Sequence, residues 1–171
     1  VEIAQIGQYA ENVYFGKPCG LMDQTASSVG GVVAIDFADT AKPVVEAIAL
    51  DLAAGGYALC ILDSGADHAD LTEEYAAITK ELVAVCACFG KKVLREIPEE
   101  DFLAALPKVR AAAGDRAVLR AFHVYAENRR AGEEAQALRK GDLPRFLRLV
   151  RESGRSSALY LQNVVPAGQT K

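Results

Sequence analysis

The chain has 171 residues, of which 51% are apolar, and this is enough to bury a core in one domain or two small ones. Its 19 Lys and Arg residues are interspersed with 23 Asp and Glu residues, so the net charge of -4 argues against a nucleic-acid partner. No apolar run approaches the roughly 20 residues that cross a bilayer, and the first residues lack a secretion signal. We therefore expect a globular protein of the cytoplasm without a membrane partner.

The first part of the chain predicts two short helices followed by β-structure. Apolar residues from Val1 to Ala10 have helical spacing, which ends at a loop over 15–18. A second helix is predicted from Asp23 to Val29, because Gly30-Gly31 supplies the positive φ that favours a helix end. Apolar runs then predict a buried strand, a second β-like stretch and a central strand. These three segments are 32–37, 43–52 and 57–63.

A change of pattern at Gly55-Gly56 predicts a domain boundary between residues 1–56 and 57–171. Beyond it the sequence is mostly helical, which makes the fold class α+β. Apolar residues from Leu71 to Phe89 repeat at spacings of four and three, so they form one face of a long helix that Gly90 ends. Further helices are predicted after Pro98, over 116–140 before Gly141, and over 143–151.

The segment from Gly16 to Gln24 carries the most specific chemical pattern of the chain, Gly-Lys-Pro-Cys-Gly-Leu-Met-Asp-Gln. Pro18 restricts the backbone at its entry, and Gly20 allows the backbone to approach a ligand closely. The carboxylate of Asp23 is thereby presented from a stiff frame, as a catalytic group requires. An aspartate in this place can also act as the N-cap of the following helix, and the residues alone leave both roles open.

This segment strongly resembles the one that holds the catalytic aspartate of galactokinases, in the GHMP small-molecule kinase superfamily. The resemblance implies that Asp23 lies beside the anomeric hydroxyl of galactose, as a base or an orienting group, and that the Gly20 backbone contacts the sugar. It implies ATP and Mg²⁺ as cofactors and galactose 1-phosphate as product. It also implies a two-domain fold, with the end of an N-terminal α/β domain in 1–56 and an incomplete, helix-rich, ferredoxin-like C-terminal domain in 57–171.

A second resemblance concerns the run from Ser64 to Tyr75, which is similar to a strand-to-helix junction of galactokinases. A tyrosine at this place hydrogen-bonds the hexose in the family, and this implies that Tyr75 binds the substrate. The helical periodicity alone allows Tyr75 to be a core aromatic residue, because it shares a face with Leu71, Ile78 and Leu82.

The histidine and cysteine patterns do not predict a metal centre. His68, between Asp67 and Asp70, has no second ligand group at a fitting spacing, so a loop or cap role is favoured. The stretch from Phe122 to Arg130 resembles a galactokinase helix in which His123 packs and the charges pair. The cysteines never form a C-x-x-C pair and are expected to be free thiols. They are Cys19, Cys60, Cys86 and Cys88.

Several galactokinase motifs are not found in these 171 residues: the upstream segment that grips the sugar, the glycine-serine-rich phosphate loop, and a C-terminal glycine-rich motif. The residues that contact ATP are therefore unassigned, and we expect a central fragment that is inactive alone. Lys140-Gly141-Asp142 and 152–157 resemble a family turn and loop, although Gly154 stands where a histidine is common. Two alternatives remain open, namely a kinase for N-acetylgalactosamine or a uronic acid, and a non-catalytic sugar sensor that binds proteins.

Overall fold

A computed structural model describes residues 1–16, 19–63, 65 and 72–165. These residues form a helix-rich fold with one two-stranded sheet, which agrees with the predicted α+β class. Within them, no helix combines the length and the apolar composition that a membrane crossing requires. The chain divides into two compact units, which are described in turn.

The first unit comprises residues 1–59 and 135–143. Helix α1 (Glu2–Tyr9) continues into a π-helical turn (Ala10–Tyr14), and helix α2 (Met22–Val29) packs against α1. The approach of the two helices is close because Gly7 lacks a side chain. A Cβ atom at Gly7 would lie 3.4 Å from Cγ of Gln24.

Strands β1 (Val32–Asp36) and β2 (Val44–Ile48) form an antiparallel pair, in which Val32 lies opposite Ile48. Both strands were predicted but are shorter than expected, and the side chains of 32–35 are half-buried rather than buried. The chain turns from α2 into β1 at Gly30 and Gly31, whose φ angles are 76° and 65°, as their sequence predicts. Within this unit, Arg139 donates two hydrogen bonds to the Glu46 carboxylate on β2.

The predicted central strand over 57–63 is wrong, because these residues belong to neither a strand nor a helix. The side chains of Leu59, Ile61 and Leu62 are 84%, 97% and 93% exposed. A central strand needs neighbouring strands that pair with its backbone. The sheet formed by the described residues contains only β1 and β2, so the apolar run has no pairing partner there.

The second unit comprises residues 60–134 and 144–171, and its described part is mainly helical. Two of the helices end near predicted glycines. Gly90, with φ 64°, follows α3 (Thr72–Ala87), and Gly141, with φ 70°, follows α6 (Asp115–Arg139), whose last residues, 135–139, belong to the first unit. Helix α7 (Leu143–Ser156) is longer than predicted, and the expected loop over 152–157 is helical, because α7 runs on into a π-helical turn. The helices are α3 (Thr72–Ala87), α4 (Glu99–Ala104), α5 (Leu106–Ala113), α6 (Asp115–Arg139) and α7 (Leu143–Ser156), with a 3-10 turn at Leu94–Glu96 and a π-helical turn at Ser157–Leu161.

Aromatic rings form the centre of the core in the second unit. Phe102 is fully buried, and its ring centroid lies 5.2 Å from that of Phe122 and 5.4 Å from that of Tyr125. The Tyr125 hydroxyl donates to the carbonyl oxygen of Ile97 over 2.9 Å, so its polar atom is satisfied. Burial raises the pKa of Tyr125 to about 12, which keeps this donor protonated. Other fully buried members of the core are Val85, Cys86, Val109, Ala117 and Ala121.

Candidate functional site

The motif that the sequence singles out lies in the first unit, where the chain passes from the π-helical turn into α2. Lys17 and Pro18 lie outside the described residues, so the stiffness that Pro18 was predicted to give the loop entry stays a prediction. Cys19 to Gln24 are described, and they include the two residues predicted to bind the sugar here, Gly20 and Asp23.

The backbone of Cys19 is held on both sides by polar side chains from the preceding helical segment. Its N–H donates to Oδ1 of Asn12 over 2.9 Å, and its carbonyl oxygen accepts from Nε2 of Gln8 over 3.1 Å. Nε2 of Gln24 lies 3.4 Å from the Cys19 sulfur atom and adds a third contact. These contacts fix the loop just before Gly20 without using any group of Asp23.

The first turn of α2 is anchored from inside by Thr25, whose side chain is fully buried. The Thr25 hydroxyl donates to the carbonyl oxygen of Leu21 over 2.7 Å, and Leu21 itself is only 7% exposed. The inner face of the turn is therefore packed and hydrogen-bonded. The opposite face, which carries Asp23, is exposed.

Asp23 lies in the first turn of α2 but is not its N-cap. The cap position belongs to Leu21, and no side chain bonds to the free N–H groups there, so the structural-cap interpretation of Asp23 is wrong. Among the described residues, the Asp23 carboxylate has no hydrogen-bond or ion-pair partner. The carboxylate is therefore exposed and free to accept a hydrogen bond from a ligand.

Neither the backbone conformation nor the packing of the described residues requires a glycine at position 20. Its φ angle is not in the positive region, and a Cβ atom at this position would meet none of their atoms within 4 Å. The space next to its backbone is thus open, which is what close approach of a ligand requires.

Tyr75, the third predicted site residue, belongs to the second unit, whereas Gly20 and Asp23 belong to the first. Its side chain on α3 is 56% exposed, so the interpretation of Tyr75 as a core aromatic residue is wrong. Farther along the same helix Val85 is buried, as the periodicity predicts. Residue 64 and residues 66–71, which include His68 and most of the resembling junction, lie outside the described residues.

Tyr75 lines a small hollow of about 60 Å³ in the second unit, together with Ile78, Arg120 and Gln162. This volume holds one or two water molecules and is too small for a hexose. The hollow matters because Arg120, a residue that the sequence analysis did not single out, forms part of its wall.

Arg120 is the largest fully buried side chain of the described residues, and it is paired with Glu81. Arg116 donates Nε and Nη2 to Oε1 of Glu81 over 2.8 and 2.6 Å, while Arg120 donates Nη1 to Oε2 over 2.8 Å. Arg120 also donates Nε to the carbonyl oxygen of Leu161 over 3.0 Å. The cluster thus ties α3, which carries Tyr75, to α6 and to the turn after α7. The sequence feature that could have indicated the burial of Arg120 is its place on α6 between two core positions, Ala117 and Ala121.

A second polar cluster surrounds His123, which is 7% exposed. Its Nδ1 lies 2.9 Å from Oγ of Ser156 and 3.9 Å from Oε1 of Glu127. A nucleophilic triad needs the serine and the carboxylate on opposite ring nitrogens, and here both approach Nδ1, so this is not a hydrolase triad. Glu127 also pairs with Arg130 and accepts from Ser153 over 2.7 Å. The predicted packing and charge pairing of this helix are confirmed.

The described residues offer no metal centre, because no group of three or more His, Cys, Asp or Glu side chains among them is placed to hold an ion. The cysteines are free thiols: Cys86 is buried, Cys60 is exposed, and Cys19 and Cys88 are half-buried. Burial raises the pKa of the Cys86 thiol, with the nearby Glu96 acting in the same direction. Cys86 is therefore an inert core residue.

Comparison with curated proteins relates the chain to galactokinases. It is 34% identical over 155 residues to a galactokinase of Actinobacillus pleuropneumoniae serotype 5b, which covers 87% of this chain and 38% of the relative. It is 35% identical over 153 residues to the human galactokinase, covering 90% of this chain and 38% of the relative. It is 34% identical over 156 residues to a galactokinase of Thermotoga neapolitana, which covers 91% of this chain and 42% of the relative.

No protein-family model matches the chain. The chain spans about two-fifths of the length of the curated relatives that it matches. The similarity extends over nearly all of the chain, both units included, and it repeats across bacterial and human relatives. Over nearly all of its length, this chain is therefore related in sequence to galactokinases.

Proposed function

We propose that this chain is the central part of an ATP-dependent sugar 1-kinase that transfers the γ-phosphoryl group of ATP to the anomeric hydroxyl of galactose. The observation that carries the proposal is the state of Asp23 in a galactokinase-related sequence. Its carboxylate is exposed, has no partner among the described residues, and stands on a turn that Asn12, Gln8 and Thr25 hold in place. Because the Asp23 carboxylate makes no hydrogen bond to another described residue, it is available to bind a substrate hydroxyl.

In this proposal Asp23 accepts a hydrogen bond from the anomeric hydroxyl and so aims its oxygen at the phosphorus atom. Phosphoryl transfer has a loose transition state, in which the nucleophile loses its proton late. A carboxylate therefore contributes both by orienting the hydroxyl and by taking the proton as the new bond forms.

Two further residues complete the proposed sugar site. Gly20 offers an open approach to its backbone, so a sugar hydroxyl can bond there without meeting a side chain. The hydroxyl of the exposed Tyr75 is a donor and acceptor for another sugar hydroxyl. We propose that Tyr75 binds the sugar, as the resemblance implies.

The remaining assignments are part of the same proposal. Residues 1–56 represent the end of the N-terminal domain of a GHMP kinase, and residues 57–171 represent part of a ferredoxin-like C-terminal domain. ATP is the phosphoryl donor. The proposed location of the protein is the cytoplasm. No group of three or more His, Cys, Asp or Glu side chains among the described residues is placed to hold an ion, so Mg²⁺ enters this proposal as the counter-ion of ATP.

The proposal is tested with the protein expressed from the complete open reading frame that contains these residues. Purified protein is incubated with galactose and Mg-ATP, and galactose 1-phosphate is measured together with ADP. We expect equal amounts of the two products. Phosphorylation of N-acetylgalactosamine or a uronic acid but not of galactose would identify a different sugar kinase, and ligand binding without ADP release would identify a sugar sensor.

A further inference from the structure

A cleft of about 390 Å³ lies in the second unit, where the start of α4, the middle of α6 and the end of α7 meet. Its volume is within the range of sites for small organic molecules. The residues that line it do not include Gly20, Asp23 or Tyr75. The cleft therefore does not depend on the assignment of those three residues to the sugar.

One side of the cleft is apolar. Phe122 and Ala126 lie on α6, and Leu159 and Tyr160 come from the π-helical turn that follows α7. Leu159 is 66% exposed and Tyr160 is 42% exposed, so a ligand would remove much apolar surface from water. An aromatic or cyclic aliphatic ring fits this wall, since its burial is favourable and needs no hydrogen-bond partner.

The polar part of the cleft lining consists mainly of arginine side chains. Arg129 pairs with Glu99, and Arg130 pairs with Glu127, in each case through Nη1. A guanidinium has five N–H donors, so both keep donors beyond these pairs. Arg155 is exposed and has no ion-pair partner among the described residues, so its guanidinium is available to a ligand. Guanidinium groups beside an apolar wall favour a carboxylate or phosphate.

The carboxylates in the lining limit how much negative charge the cleft accepts. The lining contains three arginines, Arg129, Arg130 and Arg155, and two glutamates, Glu99 and Glu152. Glu127, which pairs with Arg130, lies outside the lining, so the charges around the cleft nearly balance and Arg155 is the lining arginine left without an ion pair among the described residues. A ligand with one compact anionic group matches this balance, whereas a polyanion would be repelled by Glu152.

We propose that this cleft binds a small molecule in which a carboxylate or phosphate group is attached to an apolar ring. Arg155 pairs with the anionic group, and Phe122 and Leu159 contact the ring. Charge selects the anion, and the apolar wall selects the ring over an inorganic ion.

Phenyl phosphate is the probe that tests this proposal, and benzylamine, which has the same ring and the opposite charge, is the matched control ligand. Both are titrated into the purified 171-residue chain, and amide and side-chain resonances are followed by NMR. We expect phenyl phosphate to shift resonances of residues that line the cleft in a saturable way, and benzylamine to bind at least about tenfold more weakly.

Variants separate the two parts of the site. Arg155→Glu should weaken phenyl phosphate binding at least about tenfold, as expected for loss of a charge-assisted bond. Leu159→Ser should weaken phenyl phosphate binding because the contact with the ring is lost. The control is Arg148→Glu, which lies on α7 as Arg155 does but outside the lining, and it should change the binding affinity by no more than about twofold. Both cleft residues are exposed, and unchanged resonances of the core residue Phe102 confirm that the variants fold. The proposal is overturned by non-saturable shifts, by equal binding of benzylamine, or by Arg155→Glu and Leu159→Ser both binding like the parent chain.

Discussion

Arg120 and Glu81 form a buried ion pair in which Nη1 of the arginine lies 2.8 Å from Oε2 of the glutamate. The Arg120 side chain is only 1% exposed, and its Nε is satisfied by the carbonyl oxygen of Leu161. Both of these hydrogen bonds therefore join α6 to another element of the second unit. A charge that is so far from water depends on its partner, because removal of the partner leaves an unpaired ion in the core.

Glu81→Ala should destabilise the second unit strongly, because it leaves Arg120 buried without its carboxylate. We expect the free energy of unfolding, measured with urea, to fall by about 3 kcal/mol. Arg110→Ala is the control, since it breaks an ion pair with Asp115 in which both side chains are 68% exposed, and it should lower the free energy of unfolding far less than Glu81→Ala does. Equal losses in the two variants would show that burial of the Arg120 pair contributes nothing.

Asn12→Ala should loosen the motif loop just before Gly20. The Asn12 side chain accepts the hydrogen bond of the Cys19 N–H, so without it hydrogen exchange of the Cys19 amide should speed up about fivefold, which corresponds to about 1 kcal/mol. Asn128→Ala, an exposed change on α6, should leave this amide unaffected. An unchanged exchange rate in Asn12→Ala would mean that the loop is held by other contacts.

His123 should make the stability of the chain depend on pH. Burial lowers the pKa of His123, Arg130 lowers it further, and the hydrogen bond with Ser156 acts in the opposite direction. The unfolded chain therefore binds the proton more readily, so stability is complete above the unfolded pKa of about 6.5 and falls as the pH decreases below it.

The measurement is the melting temperature between pH 7.5 and pH 5, a range chosen around the unfolded histidine pKa of about 6.5. His123→Gln should flatten the decrease toward acidic pH. His68→Gln, which removes the other histidine, should keep the decrease. A slope that persists in His123→Gln would assign the pH dependence to the carboxylates instead.

Tyr75→Phe should weaken binding of galactose by the complete protein. The change removes one hydroxyl that the proposal places on the sugar, so KM for galactose should rise about fivefold while kcat changes less. Tyr57→Phe is the matched control and should leave both constants unchanged. Normal kinetics in Tyr75→Phe would remove Tyr75 from the proposed sugar site but would leave the role of Asp23 intact.

Local signals in the sequence predicted the helices well. Helix α6 was placed within one residue at each end, because Gly141 and the apolar spacing mark its limits. Helix α2 was equally clear from Gly30 and Gly31. These signals act over a few residues, so they do not depend on the rest of the fold.

The features that depend on distant partners were not predictable in the same way. The apolar run over 57–63 predicted a strand, but a strand forms only where another strand pairs with it. Tyr75 shares a helical face with Val85, yet it is exposed, because periodicity does not show where a packing partner ends. The pairing of Glu81 with Arg120 joins residues 39 positions apart, and no local pattern indicates it.

The proposed role of Asp23 in phosphoryl transfer is tested by the kcat of Asp23→Ala and Asp23→Asn in the complete protein with galactose and Mg-ATP. We predict that both variants fold as the parent does, because Asp23 is exposed and caps nothing. Their kcat should fall at least about 100-fold, as for a lost acid-base group, with smaller changes in sugar affinity and almost none in ATP affinity. Asp23→Asn should retain part of the sugar affinity, because an amide still bonds the hydroxyl without the charge. Near-normal kcat in both variants would contradict the account and would remove Asp23 from the reaction.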